Sequence, residues 1–369
     1  MNVSTKASKQ LFSRPDDEMF SGWDTLIPHL QERESFTAEH EIRDIATYPT
    51  DDSVNVLITT PRGQGVASLN DWSLGLLCSK AKAPKAYINA LTPQLASDCI
   101  NHSLSKREDR GKGFVGNILQ TDDGPLARAF YSQGYARVPD LEMAQFYHRM
   151  ATEFNYEPAG TFAGKRGGMP PVNPKASGLY HGERNQFLFI ANEDGAVEID
   201  GGSVLYHCVM AWNSEVTASQ IGFSHCLYNF ICGNHMIWGM QEYREVSARH
   251  VGHPEEVLHK AQDMFIHIDR RRSDLQTQIH TNVREAQRKE FGATREQVKK
   301  KLETYMTRKD AGNVLDWSDH PKAYPKAPNT VWGVAQGVTL YSQTFKNADN
   351  RRSMDKVAQN ILEKVEITQ

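Results

Sequence analysis

The sequence predicts an α+β fold, with a central antiparallel sheet covered by N-terminal and C-terminal helices. Three β-rich segments, 186–191, 203–212 and 219–232, are separated by turn sequences, 192–195 and 200–202 among them, as in an antiparallel meander. Apolar residues recur at helical spacing before and after them, along 92–104 and 255–286. Because the third β segment is apolar on both faces, we expect helices or a partner subunit to cover it on both.

Length and composition indicate an ordinary globular chain with a sizeable core. Its 369 residues are 39% hydrophobic and 24% charged, which is typical of globular domains. No window approaches the length of an apolar membrane span, and the N-terminus lacks the apolar run of a signal peptide. We therefore expect a cytoplasmic protein without membrane contact. The five cysteines form an odd, scattered set, which favours reduced core thiols over a disulfide framework.

The N-terminal part is predicted to change from a weakly ordered segment into mixed β and α structure. Residues 1–35 are polar and lack sustained periodicity, although their last apolar residues can form a short docking helix. Residues 53–60 are rich in β-branched side chains, which predicts a strand. Helices are predicted after Asn70 or Asp71, either of which can cap, and after Thr92, which precedes a proline.

Cationic and aromatic residues alternate between residues 106 and 137. A charged loop precedes two β-like segments at 114–119 and 126–131. Arginine and tyrosine together can contact phosphates and stack on bases. The alternative is that the tyrosines are half-buried under an ordinary sheet with the arginines at its rim. The nucleic-acid-binding candidates of this region are Arg107, Arg110, Lys112, Arg128, Tyr131, Tyr135 and Arg137.

A helix is predicted over 141–154, and an irregular basic segment follows it. Residues 159–178 are rich in glycine and proline, so they cannot form a regular element. A linker, an insertion or a mobile arm would all have this composition. Lys165 and Arg166 are further candidates for contact with a polyanion.

The stretch from Trp212 to Trp238 concentrates cysteines and histidines, which raises two chemical interpretations. A zinc site can use Cys and His ligands at short spacing, and Cys232 with His235 would be the pair. His225 and Cys226 would point to opposite faces of a strand, so they cannot both hold one ion. A thiol nucleophile would need a general base, and none stands at a recognisable position. We favour no metal and expect no cofactor.

A third interpretation is a polar pocket at the strand ends of the same stretch. An Asn-Ser-Glu triplet follows the second β segment, and a Gly-Asn-His turn follows the third. Capping of neighbouring loops by these groups is the structural alternative. The pocket candidates are Asn213, Ser214, Glu215, Asn234 and His235.

The C-terminal part is predicted to be helical and basic. From residue 241 to 309 there are 15 Lys and Arg against 11 Asp and Glu, and from 321 to the end 7 against 4. The amphipathic pattern that starts at Glu255 places Arg270, Arg284 and Arg288 on its polar side. Such a charge distribution can mark a nucleic-acid face or a solvated helix surface.

Three more helices are predicted after this pattern. The first begins at Thr294 with a capping sequence, the second covers 330–345, and the last covers 353–365. Arg351 and Arg352 lie near the start of the last helix, where cations oppose the helix dipole unless an anion binds. They are the final nucleic-acid-binding candidates.

Several short motifs follow one another along the chain. They are DWSLGLLC, APKAYINALTPQL, ARAFYSQGY, WNSEVTASQIGF with a Cys-Gly-Asn turn, ARHVGH and NTVWGVAQGVTLYSQ. In this order they resemble the phage- and plasmid-borne family filed as domain of unknown function nine-three-two, from about residue 50 to residue 345. The turn departs from the Cys-x-Asn-Gly pattern of the family. The resemblance implies a mobile element, often beside replication and recombination genes, and no assigned chemistry.

These observations predict a weakly ordered segment at 1–35, a single α+β domain over 36–345 with an insertion at 159–178, and a C-terminal linker and helix over 346–369.

The preferred hypothesis is a non-enzymatic DNA-metabolism protein of a phage or plasmid, an accessory of recombination or replication. It would bind single-stranded DNA in the cytoplasm of a bacterial host and form a homo-oligomer. The alternatives are an enzyme with a metal-assisted or polar pocket near 213–235, and a structural or host-interaction oligomer without DNA binding.

Overall fold

Two β-sheets with helices packed against them make up the described part of the chain, which confirms the α+β class. The computed structural model describes residues 18–106, 114–162, 178–199, 203–229, 246–320, 327–342, 344, 354, 357–358 and 360–362. The strands are β1 (Met19–Phe20), β2 (Thr37–Ile42), β3 (Asp44–Pro49), β4 (Val54–Thr60), β5 (Gly63–Leu69), β6 (Phe114–Thr121), β7 (Gly124–Ser132), β8 (Glu157–Pro158), β9 (Leu179–His181), β10 (Gln186–Ile199), β11 (Ser203–Asn213), β12 (Ile221–Asn229) and β13 (Val246–Ala248).

The helices lie on both sides of the central sheet in sequence, as predicted. They are α1 (Trp23–Ser35), α2 (Asp71–Ala81), α3 (Lys85–Ile88), α4 (Pro93–Ser105), α5 (Asp140–Glu153), α6 (Pro254–Arg270), α7 (Arg272–Arg288), α8 (Arg295–Leu302), α9 (Arg308–Ser318) and α10 (Val331–Ser342). The side chains of Asn70, Thr92 and Thr294 accept hydrogen bonds from the first turns of α2, α4 and α8. These three predicted helix starts are therefore confirmed.

The central sheet contains the predicted meander. Its strand order is β1-β9-β10-β11-β12-β13, with β8 beside β10, and β10, β11 and β12 pair antiparallel. One face packs against α1, α5 and α6. On the other face Phe187, Tyr206 and Trp212 are each 1% exposed. The described side chains of β10 and β11 at 186–192 and 206–213 are therefore buried on both faces, whereas those of β12 after Ser224 lie outside the described residues.

β10 is longer than the sequence predicts. A turn was expected at 192–195, but the strand continues to Ile199 with an irregular register between Asn192 and Val197. The Asn192 amide donates to the carbonyl oxygens of Phe154 and Asn155 at 3.0 and 2.7 Å, and its oxygen accepts from the Asp194 backbone at 2.7 Å. The turn-forming residues therefore stabilise a local bulge and do not reverse the chain.

The N-terminal β segments form a second sheet, in the order β2-β6-β7-β5-β4-β3. All its pairs are antiparallel except β5 with β7. Helices α2 and α4 cover one face, where Leu77 and Ile100 pack against Val56. We call this the N-terminal sheet. Its other face meets the central sheet at β7, where Ala129 and Tyr131 contact Val216.

Residues 18–35 contain the short docking helix that the sequence allowed within the predicted N-terminal segment. They form β1, which pairs with β9, and α1, whose Leu26 and Leu30 are buried against α5 and the central sheet. A short apolar pattern is sufficient for this helix because packing against other parts of the chain, and not its own periodicity, provides most of its stability. The remaining predicted residues, 1–17, lie outside the described part of the chain.

The C-terminal helices enclose a hydrophobic core of their own. Trp332 on α10 is fully buried and lies among Val314 of α9 and Leu302 of α8. Ile361 and Leu362 pack into the same core, although the sequence placed them in a linker and helix outside the domain. Apolar burial therefore joins the last described residues to the C-terminal helices.

Gly337 of α10 lies against Val314 and Ser318 of α9, and its replacement by alanine is expected to destabilise this core. An added Cβ would overlap the Ser318 hydroxyl and lie 2.6 Å from the Val314 carbonyl oxygen. Overpacking of this kind costs about 1–3 kcal/mol, measurable as free energy of unfolding in urea. Gly312→Ala on α9 is the matched control. Because nothing lies within 4 Å of its added Cβ, helix propensity should make it neutral or stabilising.

Candidate functional site

The predicted site residues separate into a buried set, an exposed set and a set outside the described residues. The buried or half-buried set comprises Arg128, Tyr131, Tyr135, Arg137, Asn213, Ser214 and Glu215. The exposed set comprises Arg270, Arg284 and Arg288. Outside the description lie Arg107, Arg110, Lys112, Lys165, Arg166, Cys232, Asn234, His235, Arg351 and Arg352.

Glu215 is the centre of an ion network between the two sheets. It follows β11 of the central sheet, is 3% exposed, and accepts a hydrogen bond from Arg128 on β7 of the N-terminal sheet. Its second oxygen accepts from Arg137 at 2.8 Å. Arg137 also donates to Glu34 of α1, with one bond of 3.0 Å. We call Glu34, Arg128, Arg137 and Glu215 the junction network.

Electrostatics keep the junction network ionised. Burial alone raises the pKa of the Glu215 carboxyl, but the charges of Arg128 and Arg137, and their hydrogen bonds, hold that pKa well below its ordinary value of 4.5. Burial works against the charge of each arginine, and the carboxylates beside them nevertheless raise the pKa of both guanidinium groups. The network therefore carries paired charges in the interior.

Asn213 and Ser214 hold loops together beside this network. The Asn213 amide donates to the Val138 carbonyl at 3.0 Å and to the Asp140 carboxylate at 2.8 Å. The Ser214 hydroxyl donates to the Arg184 carbonyl at 2.6 Å. These contacts match the capping alternative, because both side chains bind neighbouring backbone and not an open surface.

Tyr131 and Tyr135 are also engaged inside the protein. The Tyr131 hydroxyl donates to Glu39, and the Tyr135 hydroxyl donates to the Ser214 carbonyl at 2.7 Å. Their rings lie 4.8 Å apart, and Tyr135 stacks on His250 at 5.0 Å. Burial is the main reason why the pKa of each phenol is raised.

The prediction that these tyrosines and arginines contact nucleic acid needs correction. Tyr131 is 6%, Arg137 8% and Arg128 1% exposed, so their polar groups do not face a surface ligand. Tyr135 is half-buried, with its hydroxyl and ring already occupied. Arginine and tyrosine in this segment bind carboxylates and carbonyls of the same chain, because β7 is covered on both faces.

Sequence reasoning missed the partners that complete the network. Glu34 is 103 residues from Arg137, and Glu215 is 87 residues from Arg128. His181 Nε2 lies 3.3 Å from a carboxylate oxygen of Asp140. Because the partners are far apart in sequence, no local spacing of residues predicts such pairs. The useful signal was an arginine between two alanines in a β segment, which indicates a buried position that needs a buried carboxylate.

A second surface is formed by the polar side of α6 and α7. Arg270, Arg284 and Arg288 are exposed, and none of them forms an ion pair with a described residue. Thr277 and Thr281, also exposed, lie along the same helix and donate to backbone carbonyls one turn earlier, at 3.2 and 2.9 Å. We call these three arginines with the two threonines the basic face.

The metal interpretation receives no support from the described residues. In that part of the chain, no group of three or more His, Cys, Asp or Glu side chains could hold an ion. His225 and Cys226 lie in β12, opposite Val209 and Cys208 respectively, so their strand placement is confirmed. Of the helices that are described, none has the length and apolarity required to cross a membrane.

The fold and the described side chains define an α+β protein with two sheets joined by buried ion pairs and with free arginines on its C-terminal helices. The chain belongs to the family described as domain of unknown function (DUF932), whose sequence model matches residues 129–364. The resemblance is therefore confirmed over these residues, while the two motifs before residue 129 lie outside the match. The match begins within β7, so it covers β8 to β13 of the central sheet and the C-terminal helices, but not β1. No curated protein and no solved structure matches the chain.

Proposed function

We propose that this chain is a non-enzymatic DNA-metabolism protein of a phage or plasmid, which binds single-stranded DNA in the cytoplasm of a bacterial host. The observation that carries the proposal is the basic face. Its three arginines are exposed on consecutive helices, and no described residue neutralises them. A guanidinium without an internal partner is available to a phosphate, which it can bind through two parallel hydrogen bonds.

The geometry of the basic face suits a phosphate backbone. Arg284 and Arg288 are one helical turn apart, which corresponds to about 6 Å along the axis. Hydroxyl groups and arginines are the side chains that commonly contact phosphate and sugar. Such contacts carry no sequence information, so we expect binding with little sequence preference, as in an accessory of recombination or replication.

The other side chains of the site favour a binding protein over a pocket enzyme. Asn213, Ser214 and Glu215 were candidates for a polar pocket, and their side chains are occupied in linking loops and sheets. Because Arg128 and Arg137 are buried, the proposal assigns DNA contact to the exposed arginines of α6 and α7. Formation of a homo-oligomer stays a prediction.

Replacing Arg284 and Arg288 together by alanine is expected to weaken binding of a fluorescent single-stranded oligonucleotide on the order of ten-fold at low salt. Two lost phosphate contacts should also reduce the slope of log affinity against log salt by about 1.4, since each contact on a single strand contributes about 0.7. Fluorescence anisotropy at several salt concentrations measures both quantities.

Arg62→Ala is the matched control, because Arg62 is exposed but lies between β4 and β5, away from α6 and α7. It should leave both affinity and salt slope unchanged. Absence of any affinity of the wild-type protein for single strands at about 50 mM salt, where phosphate contacts are strong, would overturn the proposal. A large oligomer without DNA affinity in light scattering would instead favour an assembly or host-interaction protein.

A further inference from the structure

Two aromatic side chains in the described part of the chain are more than half exposed. They are Phe36, which is 52% exposed, and Tyr87, which is 58% exposed. A protein that binds single strands without sequence preference combines cations with aromatic rings on which bases stack. The predicted stacking residues Tyr131 and Tyr135 make contacts inside the protein. Among the described residues, Phe36 and Tyr87 are therefore the candidates for stacking on a base.

The backbone around Tyr87 presents its ring outward in a fixed position. Tyr87 lies on the single turn of α3, where the backbone N–H groups of Tyr87 and Ile88 donate to the Pro84 carbonyl at 3.0 and 3.1 Å. Ile88 is 3% exposed and anchors this turn in the core of the N-terminal sheet. Because the neighbouring residue is buried, the Tyr87 ring is held at the surface.

Charge distinguishes the two exposed rings. Lys82, five residues before Tyr87, is exposed and has no ion-pair partner among the described residues. Lys85 and Arg184 both bind Asp71, so the carboxylate of this region is neutralised. The ion pairs described near Tyr87 in sequence therefore leave the positive charge of Lys82 unpaired, and such a charge attracts a polyanion.

The surroundings of Phe36 are acidic. Glu32, Glu39 and Glu41 are all exposed on α1 and β2, next to it in sequence. Arg33, the nearest cation, is engaged by Glu183 at 3.0 Å. Phosphates would be repelled here, so Phe36 is a poor platform for a base of a charged strand.

We infer that Tyr87 is a base-stacking residue for a single strand of nucleic acid, with Lys82 contacting a phosphate beside the stacked base. This inference rests on the proposed function and adds a second contact region, on the N-terminal sheet, to the basic face.

The test compares an oligothymidine with a strand of equal length made of abasic sites, using the full chain and fluorescence anisotropy. Tyr87→Ala is expected to lower affinity for oligothymidine about five- to 150-fold, the range for one lost stacking contact. Affinity for the abasic strand should not change. Tyr87→Phe should retain binding, because the ring and not the hydroxyl stacks. Phe36→Ala, the matched control, should bind both strands like the wild type.

The outcomes separate this inference from the proposed function. If the wild type binds neither strand, the proposed function fails and the Tyr87 inference with it. If Arg284→Ala/Arg288→Ala weakens binding while Tyr87→Ala matches the wild type, only the Tyr87 inference is wrong. Equal losses on both strands would exclude stacking. A dimer in light scattering that Tyr87→Ala converts to a monomer would identify a self-association surface instead and also overturn the inference.

Discussion

Replacing Glu215 by glutamine is expected to lower the free energy of unfolding by about 3–5 kcal/mol, the cost of breaking a buried ion pair by removing one partner. Glutamine preserves the shape of the side chain but not its charge. Arg128, which is 1% exposed, would then keep its charge in the interior without the carboxylate that binds it. Arg137 would lose one of its two close carboxylates and retain Glu34. Urea denaturation measures the effect.

Two comparisons show whether the loss comes from the buried charge. Glu183→Gln removes the partner of Arg33 in an ion pair whose Glu183 side chain is 53% exposed, so it should cost about 0–1 kcal/mol. Adding Arg128→Met to Glu215→Gln should cost less than the sum of the two single changes, since it removes the unpaired charge. A loss below about 1 kcal/mol for Glu215→Gln would contradict the role given to the network.

Local sequence signals predicted individual elements well. Asn70, Thr92 and Thr294 start helices because their side chains accept hydrogen bonds from the first turn. The β-branched residues at 53–60 form β4 at almost the predicted bounds. These signals depend on contacts between residues within one helical turn or one strand, and a local sequence pattern reflects contacts over this range.

The arrangement of elements needed information that local patterns do not hold. β5 and β7 pair in parallel, with Ser68 opposite Leu126, so the second sheet is set by partners far apart in sequence. β2 was missed because Glu39 and Glu41 give it a polar edge-strand composition. α9 was missed because its apolar residues, such as Val314, face helices of the C-terminal core.

Composition alone does not distinguish a ligand contact from a buried ion network, because the same types of residue suit both. Arg128 and Tyr131 have the chemistry of nucleic-acid contact, but β7 lies inside its sheet and both its faces are covered. Exposure separates the buried candidates from the exposed ones. Arg284 and Arg288, on one polar stripe of an amphipathic helix, were predicted to be exposed and are exposed, since helical periodicity determines the side of a helix directly.

Glu215 is also expected to make the protein sensitive to acid. Its pKa in the folded protein is held far below the ordinary 4.5, so below about pH 4.5 the unfolded chain takes up a proton that the folded chain does not. Stability from this carboxylate is fully present above that pH and is lost as the pH falls toward the folded pKa. Linkage gives a slope of about 1.4 kcal/mol per pH unit for one such group.

His29 adds a loss in the same direction but in a higher window. Burial, then the nearby charges of His181 and Arg33, lower the pKa of His29 from 6.5 to about 4. The unfolded chain therefore binds more protons between these values, and stability begins to fall once the pH drops below about 6.5. The contribution of His29 should be modest, because its ring is partly exposed to solvent.

Urea denaturation from pH 3 to pH 8 separates the two groups. The wild type should lose stability gently below about pH 6.5 and steeply below about pH 4.5. Glu215→Gln should start from a lower stability and lack the steep part, while His29→Gln should lack only the gentle part. Sucrose at one fixed concentration keeps the weakened variant folded through the series. If Glu215 causes the acid sensitivity, the difference in free energy of unfolding between the wild type and Glu215→Gln must shrink as the pH falls below about 4.5. Two curves that stay parallel in this range would show that the acid sensitivity arises from other groups.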